Sequence, residues 1–503
     1  MNPNYNFNAG DLAAHVSAFG PELALVITFV VAILADIIMK RVKNVAAFVV
    51  LLGFIATGFV MASQSAADQS IFSQVLVADS FSMFFKWIIL LSSGVVVLMS
   101  LASKELNTPG RSMGEYYSLI CGMTFGMFLL SSSANLIMIY LALETMSLSS
   151  YVLSGFTKEV RRASEASLKY VLYGSLASGF MIYGMSLLYG LTGSLNIFEI
   201  NSYLLSNPVQ TVPLFVSGMM IIAGFAYKIS AVPFHFWTPD VYEGSPVAVT
   251  AYLSVASKAA GFAVLVRFVK SAFIDPAVST PELWNTLSTI NWKYVIAILA
   301  VLSMSLGNLV ALWQTNVKRI LAYSSIAHAG YLLMGVAVMT NAGNFAILVY
   351  FFMYMLMNLG AFYVVQLVAG KIGSEELEDY NGLGYRAPAL AAAMTIFLIS
   401  LTGLPPTAGF IGKLYLFAAV INDPSWIWLA VVGVLNSVVS LFYYAKIFRN
   451  MYIRKPAEDA GKLSYGMTSQ ALMYALAALT LIFGIWYGPV AAWAEKASNV
   501  FIK

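Results

Sequence analysis

Ionisable side chains interrupt several long apolar runs that would otherwise suit a lipid environment. Glu144, Lys228 and Lys258 each lie roughly ten or more residues from the nearest end of their run, too far for the side chain to snorkel to an interface. Lys413 also lies inside an apolar run. A charge at the centre of a bilayer costs about 2.5–3.5 kcal/mol on insertion scales, so such residues usually carry function. These four residues predict an ion-handling path inside the membrane.

The residue types favour protons as the transported ion. A buried amine holds its proton when a carboxylate is close and releases it when the carboxylate withdraws. Glu144 and Lys228 are therefore predicted to form a pair that works as a proton switch. His328 lies in the middle of its own run and could relay protons. A lone histidine in an apolar helix is, however, often only a polar residue whose hydrogen bonds are satisfied by its neighbours. Lys169 lies nearer the end of its run and fits either proton transfer or snorkelling.

Three further lysines lie closer to the ends of apolar runs, namely Lys86, Lys270 and Lys446. Snorkelling or a structural ion pair explains them as well as proton transfer does. The sequence therefore assigns them no role.

Prolines interrupt two of the apolar runs close to buried lysines. Pro233 follows Lys228 by five residues, and Pro405 and Pro406 precede Lys413. A proline frees backbone groups that need protein or water partners in hydrocarbon. A packing kink would explain each break alone, but broken helices beside buried charges are typical of transporter sites.

The composition is that of an integral membrane protein. Of 503 residues, 60% are hydrophobic and 10% charged, against about 25% charged in soluble domains. Mean hydropathy is +0.80. The single cysteine, Cys121, excludes a disulfide framework or a four-thiolate cluster, and no phosphate-binding glycine motif is present. We therefore expect an all-α membrane protein that itself binds no cofactor, metal or nucleic acid.

Apolar runs long enough to cross the bilayer number about fourteen, since a spanning helix needs about 20 apolar residues. The predicted spans, numbered 1 to 14 in chain order, are 20–39, 44–63, 80–102, 114–132, 135–156, 164–191, 211–237, 246–273, 294–313, 318–340, 343–370, 388–421, 426–450 and 468–493. Spans 7 and 12 contain the proline breaks.

The distribution of basic residues orients these spans. Only Lys293, Lys496 and Lys503 lie on the side reached after even-numbered spans. Sixteen lie in the loops after odd-numbered spans: Lys40, Arg41, Lys43, Lys104, Arg111, Lys158, Arg161, Arg162, Lys318, Arg319, Lys371, Arg386, Arg449, Arg454, Lys455 and Lys462. Because cytoplasmic loops are enriched in Lys and Arg, we expect both termini outside, on the periplasmic side of a bacterial cytoplasmic (inner) membrane.

The spacing of the buried residues predicts an internal repeat. Glu144 precedes Lys228 by 84 residues, and His328 precedes Lys413 by 85. Spans 4–8 and 9–13 then form two five-helix units, which an odd number of helices makes inverted in the membrane. The predicted divisions are three N-terminal helices in 1–110, a first unit in 114–274, a second in 293–455, and helix 14 in 464–503.

Three segments resemble the antiporter-like subunits of respiratory complex I, the proton-translocating NADH-quinone oxidoreductase. They are YKISAVPFHFWTPDVYEGSPVAV (227–249), NVKRILAYSSIAHAGYLL (316–333) and LTGLPPTAGFIGKLYLF (401–417). Three features are more similar to the N-type subunits than to types L or M. They are the tyrosine in WTPDVYEG, the histidine of the second segment and the residues LPPTAGFIGK in the third. The resemblance spans roughly residues 20 to 490.

The resemblance implies a membrane-arm subunit that translocates protons while partner subunits oxidise NADH and reduce quinone. NADH, FMN, iron–sulfur clusters and quinone are expected in those partners, with other membrane subunits on both sides of this chain and lipid around it. The family's proton-carrying positions fall on Glu144, Lys169, Lys228, Lys258 and Lys413.

Two alternatives remain open at the level of sequence. A subunit of a multi-subunit sodium/proton antiporter shares the fold and several buried residues, and the tyrosine in WTPDVYEG favours complex I over it. A scaffold without transport function is the other, but it has no reason to bury four or five charges at a naive total of about 10–15 kcal/mol.

Overall fold

The computed structural model describes residues 9–39, 42, 44–64, 68–108, 111–280, 282–287, 290–456 and 461–498. This part of the chain is almost entirely helical, with one antiparallel hairpin of strands Gln69–Ile71 and Leu76–Ala78. The all-α expectation is therefore confirmed apart from this small hairpin. Lys40, Arg41, Lys43 and Lys503, which entered the orientation argument, lie outside the described residues.

Each predicted span coincides with helical structure. The helices that correspond to spans 1 to 6 and 8 to 11 are Gly20–Ile38, Val45–Ser63, Ser80–Ala102, Gly114–Ser132, Leu136–Ser154, Arg161–Thr192, Val247–Phe273, Trp292–Ala311, Val317–Ala337 and Asn341–Ile372, and those of spans 13 and 14 are Ile427–Tyr452 and Met467–Ile485. Within the described ranges, 12 helices are long and apolar enough to cross a membrane. The count of fourteen stays a prediction, because Gly114–Ser132 and the interrupted span 12 do not meet that criterion.

Both proline breaks occur where the sequence predicted them. Span 7 consists of Thr211–Ile229 and a short second half-helix, Trp237–Gly244, so it ends later than the predicted residue 237. Span 12 consists of Pro388–Thr402 and Ala408–Ile421. The first half-helices end at Ser230 and Gly403, whose backbones have φ of 63° and 88°. A left-handed residue at this position is a usual helix terminator.

Several short elements were not predicted, and one of them, Gly488–Ala497, overlaps the end of predicted span 14 (468–493). Helices Ala9–Ala18, Ile197–Ser206 and Gly488–Ala497 have 10 residues each, well below the length that identifies a span. The remaining short segments are α-helix Leu383–Arg386 and the 3₁₀ helices Leu377–Tyr380 and Pro424–Trp426.

The two predicted five-helix units have the same packing order. In spans 4–8 each helix contacts the next one in sequence, and span 8 returns to contact span 4; spans 9–13 close in the same way. Spans 8, 10 and 11 are almost completely buried by the rest of the protein. Ionisable side chains on these three helices are therefore separated from lipid by other helices. That the units are inverted copies, with the predicted boundaries, stays a prediction.

Side-chain caps fix where several spans begin. Asp79 accepts the Ser82 backbone N–H at 2.8 Å and Ser82 reciprocates, which forms a capping box at the start of span 3. Asn316 and Thr340 cap spans 10 and 11 in a similar way. Such caps satisfy backbone donors that no residue of the helix itself can reach.

Two buried ion pairs join span 3 to its surroundings, one to span 1 and one to span 8 of the first unit. Lys86 contacts Glu22 at 2.6 Å, with both side chains at most 4% exposed. Arg267 of span 8 holds Asp79 through two nitrogens at 2.8 and 2.9 Å, with both side chains fully buried. Lys86 is therefore in a structural pair rather than snorkelling.

The two other unassigned lysines also have local partners. The Lys270 ammonium lies 4.2 Å from the centre of the Trp284 ring and donates to the Asn341 side chain at 3.4 Å. Lys446 donates to the Leu312 carbonyl at 2.5 Å. None of these contacts involves Glu144, Lys228, Lys258 or Lys413.

Membrane topology can be tested with single cysteines at exposed positions. We expect a cysteine at Lys158 to react with an impermeant maleimide only from the cytoplasmic side, and one at Asn207 only from outside, because a single span separates them. Both residues are exposed, whereas Lys318 is buried and unsuited to labelling. Cys121 is buried and should give no background. Labelling of both positions from the same side would contradict the predicted topology.

The Asp79–Arg267 pair should contribute strongly to stability. Asp79→Ala leaves Arg267 buried without its carboxylate, a situation that typically costs about 3–5 kcal/mol. We expect a marked fall in the temperature at which the detergent-solubilised protein unfolds. Glu159→Ala, which removes the exposed partner of Arg111, is the matched control and should leave that temperature unchanged. Equal shifts in the two variants would contradict a special contribution from the buried pair.

Candidate functional site

Lys228 lies in the last turn of the first half-helix of span 7 and is fully buried. Its Nζ donates to the Ser147 hydroxyl at 3.1 Å and to the Tyr170 hydroxyl at 3.3 Å, and lies 5.5 Å from the centre of the Tyr170 ring. All of these partners are neutral. They can stabilise a protonated amine without holding it as a carboxylate would.

The predicted direct pair of Glu144 with Lys228 is not formed in this conformation: the described residues include no ion pair between them within 4.0 Å. Glu144 instead accepts a short hydrogen bond from Ser178 of span 6. Ser147, which holds Lys228, is one turn beyond Glu144 on the same helix. Lys228 is therefore bound one turn away from Glu144 on the same face of span 5, but the two groups have separate hydroxyl partners.

Lys258 lies at the centre of span 8, directly after a π-helical turn, Leu253–Ser257. Its Nζ donates to the Ser325 carbonyl of span 10 at 2.7 Å. π turns within α-helices occur frequently at functional sites. A carbonyl can only accept, so this contact favours the protonated amine.

His328 is enclosed by tyrosines of three spans. Its Nδ1 lies 2.5 Å from the Tyr350 hydroxyl and its Nε2 3.3 Å from the Tyr444 hydroxyl, which in turn lies 2.5 Å from Ser324 Oγ. A hydroxyl can both donate and accept, so either imidazole tautomer can be satisfied here. The site therefore suits a proton relay. The same contacts would also satisfy the hydrogen bonds of a histidine with a purely structural role.

Lys413 reaches back from the second half-helix of span 12 to the end of the first. Its Nζ donates to the Thr402 carbonyl at 2.7 Å and to the Ser437 hydroxyl at 2.6 Å, and it lies 4.7 Å from the centre of the Tyr331 ring. Thr402 is the last residue of the first half-helix, where unsatisfied carbonyls favour a cation.

Lys169 belongs to a different environment. It is 36% exposed and forms ion pairs with Glu165 at 2.8 Å and with Asp240 at 2.6 Å. Asp240 lies in the second half-helix of span 7 and also binds Arg319 at 2.8 Å. Lys169 and Arg319 therefore both donate to this one carboxylate. The structure does not bring Lys169 into contact with the buried lysines.

Hydroxyl groups lie between Lys258 and the second half-helix of span 7. Tyr242 and Tyr354 both face Ser325, yet in the described part of the chain none of the three side-chain hydroxyls completes a hydrogen bond of ordinary geometry. Buried hydroxyls of this kind are normally satisfied by ordered water. The region is therefore polar enough to admit water beside Lys258.

The described residues contain no group of three or more His, Cys, Asp and Glu side chains placed to hold a metal ion. The polar groups that the structure brings together here are amines, a carboxylate, an imidazole and hydroxyls. That the chain binds no cofactor stays a prediction.

The polar partners of the buried lysines were not identified from the sequence. Ser147 and Tyr170 hold Lys228, and Ser437 holds Lys413. One signal was available: Ser325, His328 and Tyr331 follow each other at three-residue spacing and so share one face of span 10. That face contacts Lys258 through Ser325 and Lys413 through Tyr331.

Comparison with known proteins places the chain in a family. Residues 133–440 match the family described as NADH:quinone oxidoreductase/Mrp antiporter, TM. A relative from Chloroherpeton thalassium, NADH-quinone oxidoreductase subunit N 2, is 48% identical over 497 residues, which cover 98% of this chain and 96% of that protein.

Solved structures agree with this assignment. A chain of respiratory complex I from Thermus thermophilus is 30% identical and superposes with a TM-score of 0.77, covering 94% of this chain and 99% of that one. A chain of the Mrp complex from a Dietzia species has a TM-score of 0.78 at 20% identity, covering 98% and 97%, and so shares the fold alone. The resemblance read from the three sequence segments is confirmed: the chain belongs to the NADH:quinone oxidoreductase/Mrp antiporter family and, within it, groups with the N subunits of NADH-quinone oxidoreductase.

Proposed function

We propose that this chain carries protons across the bacterial cytoplasmic membrane as an antiporter-like membrane-arm subunit of an NADH-quinone oxidoreductase. The observation that supports the proposal best is the series of ionisable groups inside spans 5, 7, 8, 10 and 12, of which all but the half-buried Glu144 are buried. Glu144, Lys228, Lys258, His328 and Lys413 each contact polar groups of a neighbouring helix.

Span 10 connects Lys258 to Lys413, the last member of this series. Ser325, His328 and Tyr331 lie on one of its faces, with Lys258 on Ser325 and Lys413 over Tyr331. His328 is therefore within one turn of the contact points of both lysines. A proton accepted at one imidazole nitrogen while another leaves from the opposite nitrogen moves charge from the Lys258 side to the Lys413 side without any large displacement.

Glu144 supplies the coupling in this proposal. Quinone chemistry in partner subunits would shift Glu144 between its Ser178 hydrogen bond and closer approach to Lys228. Approach would hold the proton on Lys228, and withdrawal would leave an ammonium surrounded only by neutral hydroxyls, from which the proton is more easily released. The charge change would pass through Lys258 and His328 to Lys413, and a proton would leave to the outside.

The assembly follows from the same proposal. NADH, FMN, iron–sulfur clusters and quinone would reside in partner subunits, with other membrane subunits against both sides of this chain and lipid elsewhere. Many apolar side chains on spans 1, 2, 6 and 13 are exposed, and these provide surface for contacts with partner subunits and with lipid. The basic loops support a cytoplasmic location for the loops after odd-numbered spans and an outside location for both termini.

Neutralising Lys228 tests the function directly. We expect Lys228→Met to assemble into the complex but to lower quinone-linked NADH oxidation and proton pumping together by several-fold, because the series loses a proton-carrying group. Lys228→Arg keeps the charge but does not deprotonate, so it should be milder yet below the native level. Both activities are measured in inverted membrane vesicles.

Electron transfer from NADH to an artificial acceptor is the internal control and should persist in both variants. If fully assembled Lys228→Arg pumps as well as the native protein, Lys228 does not release its proton during turnover. Normal pumping by Lys228→Met would instead favour a scaffold. Sodium-dependent exchange without any link to NADH would favour the antiporter alternative.

The position of Lys413 can be disturbed without removing its charge. A Cβ at Gly403 would lie 2.6 Å from Lys413 Cδ, on a backbone with φ of 88°. We expect Gly403→Ala to displace the ammonium from the Thr402 carbonyl and to lower pumping by several-fold. Gly373→Ala is the matched control, because Gly373 has φ of 80° but nothing within 4 Å of its added Cβ. Equal losses in the two variants would mean that backbone strain alone is responsible.

A further inference from the structure

The second half-helix of span 7 is held by cations from two separate spans. Asp240 binds Lys169 of span 6 through Oδ2 at 2.6 Å and Arg319 of span 10 through Oδ1 at 2.8 Å. Arg319 also binds Glu243, one turn further on, at 2.8 Å. We call Lys169, Asp240, Glu243 and Arg319 the Asp240 cluster. Through it, one carboxylate joins the first five-helix unit to the first turn of span 10 in the second unit.

The carbonyl end of the same half-helix is also bound from span 10. Lys318, which is buried, donates to the Glu243 and Ser245 carbonyls at 2.8 Å each and to Glu375 at 3.1 Å. A cation at the end of a helix interacts favourably with its free carbonyls. The two adjacent cations at the start of span 10 therefore fix both a face and an end of this half-helix.

The opposite end of the half-helix reaches the surroundings of Lys228. Trp237, its first residue, stacks on the Tyr170 ring at 4.5 Å with an interplanar angle of 12°, and its indole N–H donates to the Tyr227 carbonyl at 3.0 Å. The Tyr170 hydroxyl is one of the two groups that accept from Lys228. A displacement of the half-helix would therefore move a hydrogen-bond partner of Lys228.

The cluster lines an open hollow of about 250 Å³, together with Arg162 and Glu165. Its side chains are between 21% and 36% exposed, so water competes with the ion pairs. Partly exposed pairs of this kind add little to stability individually. Their value here is geometric, because Asp240 and Glu243 attach the half-helix to spans 6 and 10 at the same time.

We propose that the Asp240 cluster is a positioning device that couples span 10 of the second unit to the hydrogen bonds of Lys228 in the first. Movement of span 10 pulls Arg319, Arg319 pulls Asp240, and the half-helix passes the displacement through Trp237 and Tyr170 to the amine. The inference rests on the proposed function of Lys228. It adds a contiguous mechanical path between the units to the electrostatic one.

Removing the shared carboxylate tests this coupling in the assembled complex. We expect Asp240→Asn to lower proton pumping by about twofold to thirtyfold, the range found for residues along coupling networks. Asp240→Glu should restore most of the loss, because the carboxylate is retained. Glu159→Gln, which breaks the exposed Arg111–Glu159 pair, is the matched control and should pump normally. Native gels and NADH oxidation with an artificial acceptor establish equal assembly.

A double-mutant comparison separates positioning from stability. If the cluster acts through Lys228, Asp240→Asn added to Lys228→Met should cause no further loss of pumping, whereas independent effects would multiply. Asp240→Asn and Arg319→Gln should likewise be non-additive with each other. Normal pumping by Asp240→Asn, failure of Asp240→Glu to rescue, or a multiplied loss in the Lys228→Met background would overturn the inference. Only normal pumping by Lys228→Met itself would overturn the proposed function.

Discussion

The cost of keeping a charged amine away from water governs the interior of this protein. Lys228, Lys258 and Lys413 are each at most 4% exposed, and each ammonium is bound by hydroxyl or carbonyl oxygens rather than by a carboxylate. A carboxylate would fix the proton on the amine, and no oxygen at all would forbid the charge. Neutral oxygens stabilise the ammonium less than a carboxylate would and more than a purely apolar site would, so the amine can exist in both protonation states. Helix breaks, buried serines and tyrosines serve to bring such oxygens to these positions.

The two helix breaks serve the lysines in different ways. Lys413 crosses the break and binds a carbonyl that the end of the first half-helix leaves free. Lys228 precedes its break, and there the second half-helix supplies Trp237 as support for Tyr170. This difference explains why one lysine stands before its prolines and the other after them. Similar buried charges are thus obtained by two local solutions, although the packing order of the units is the same.

Apolar length and charge in the sequence were sufficient to locate the spans, both breaks and the buried lysines, because each depends on a local property of the chain. Side-chain partners depend on how helices rotate against one another, which periodicity leaves undetermined. For this reason the expected Glu144–Lys228 contact is replaced by bonds to Ser178 and Ser147. Lys318, read as a loop cation, is buried for the same reason, since the carbonyls that it caps come from a helix 73 and 75 residues away.

The π-helical turn Leu253–Ser257 places one additional residue in span 8 just before Lys258. Successive residues of an α-helix differ by about 100° around the axis. Because of the extra residue, Lys258 points in a direction that differs by about this angle from the one that an uninterrupted α-helix would give it. The wide turn thereby determines which neighbouring helix the central amine meets, and that helix is span 10, through the Ser325 carbonyl.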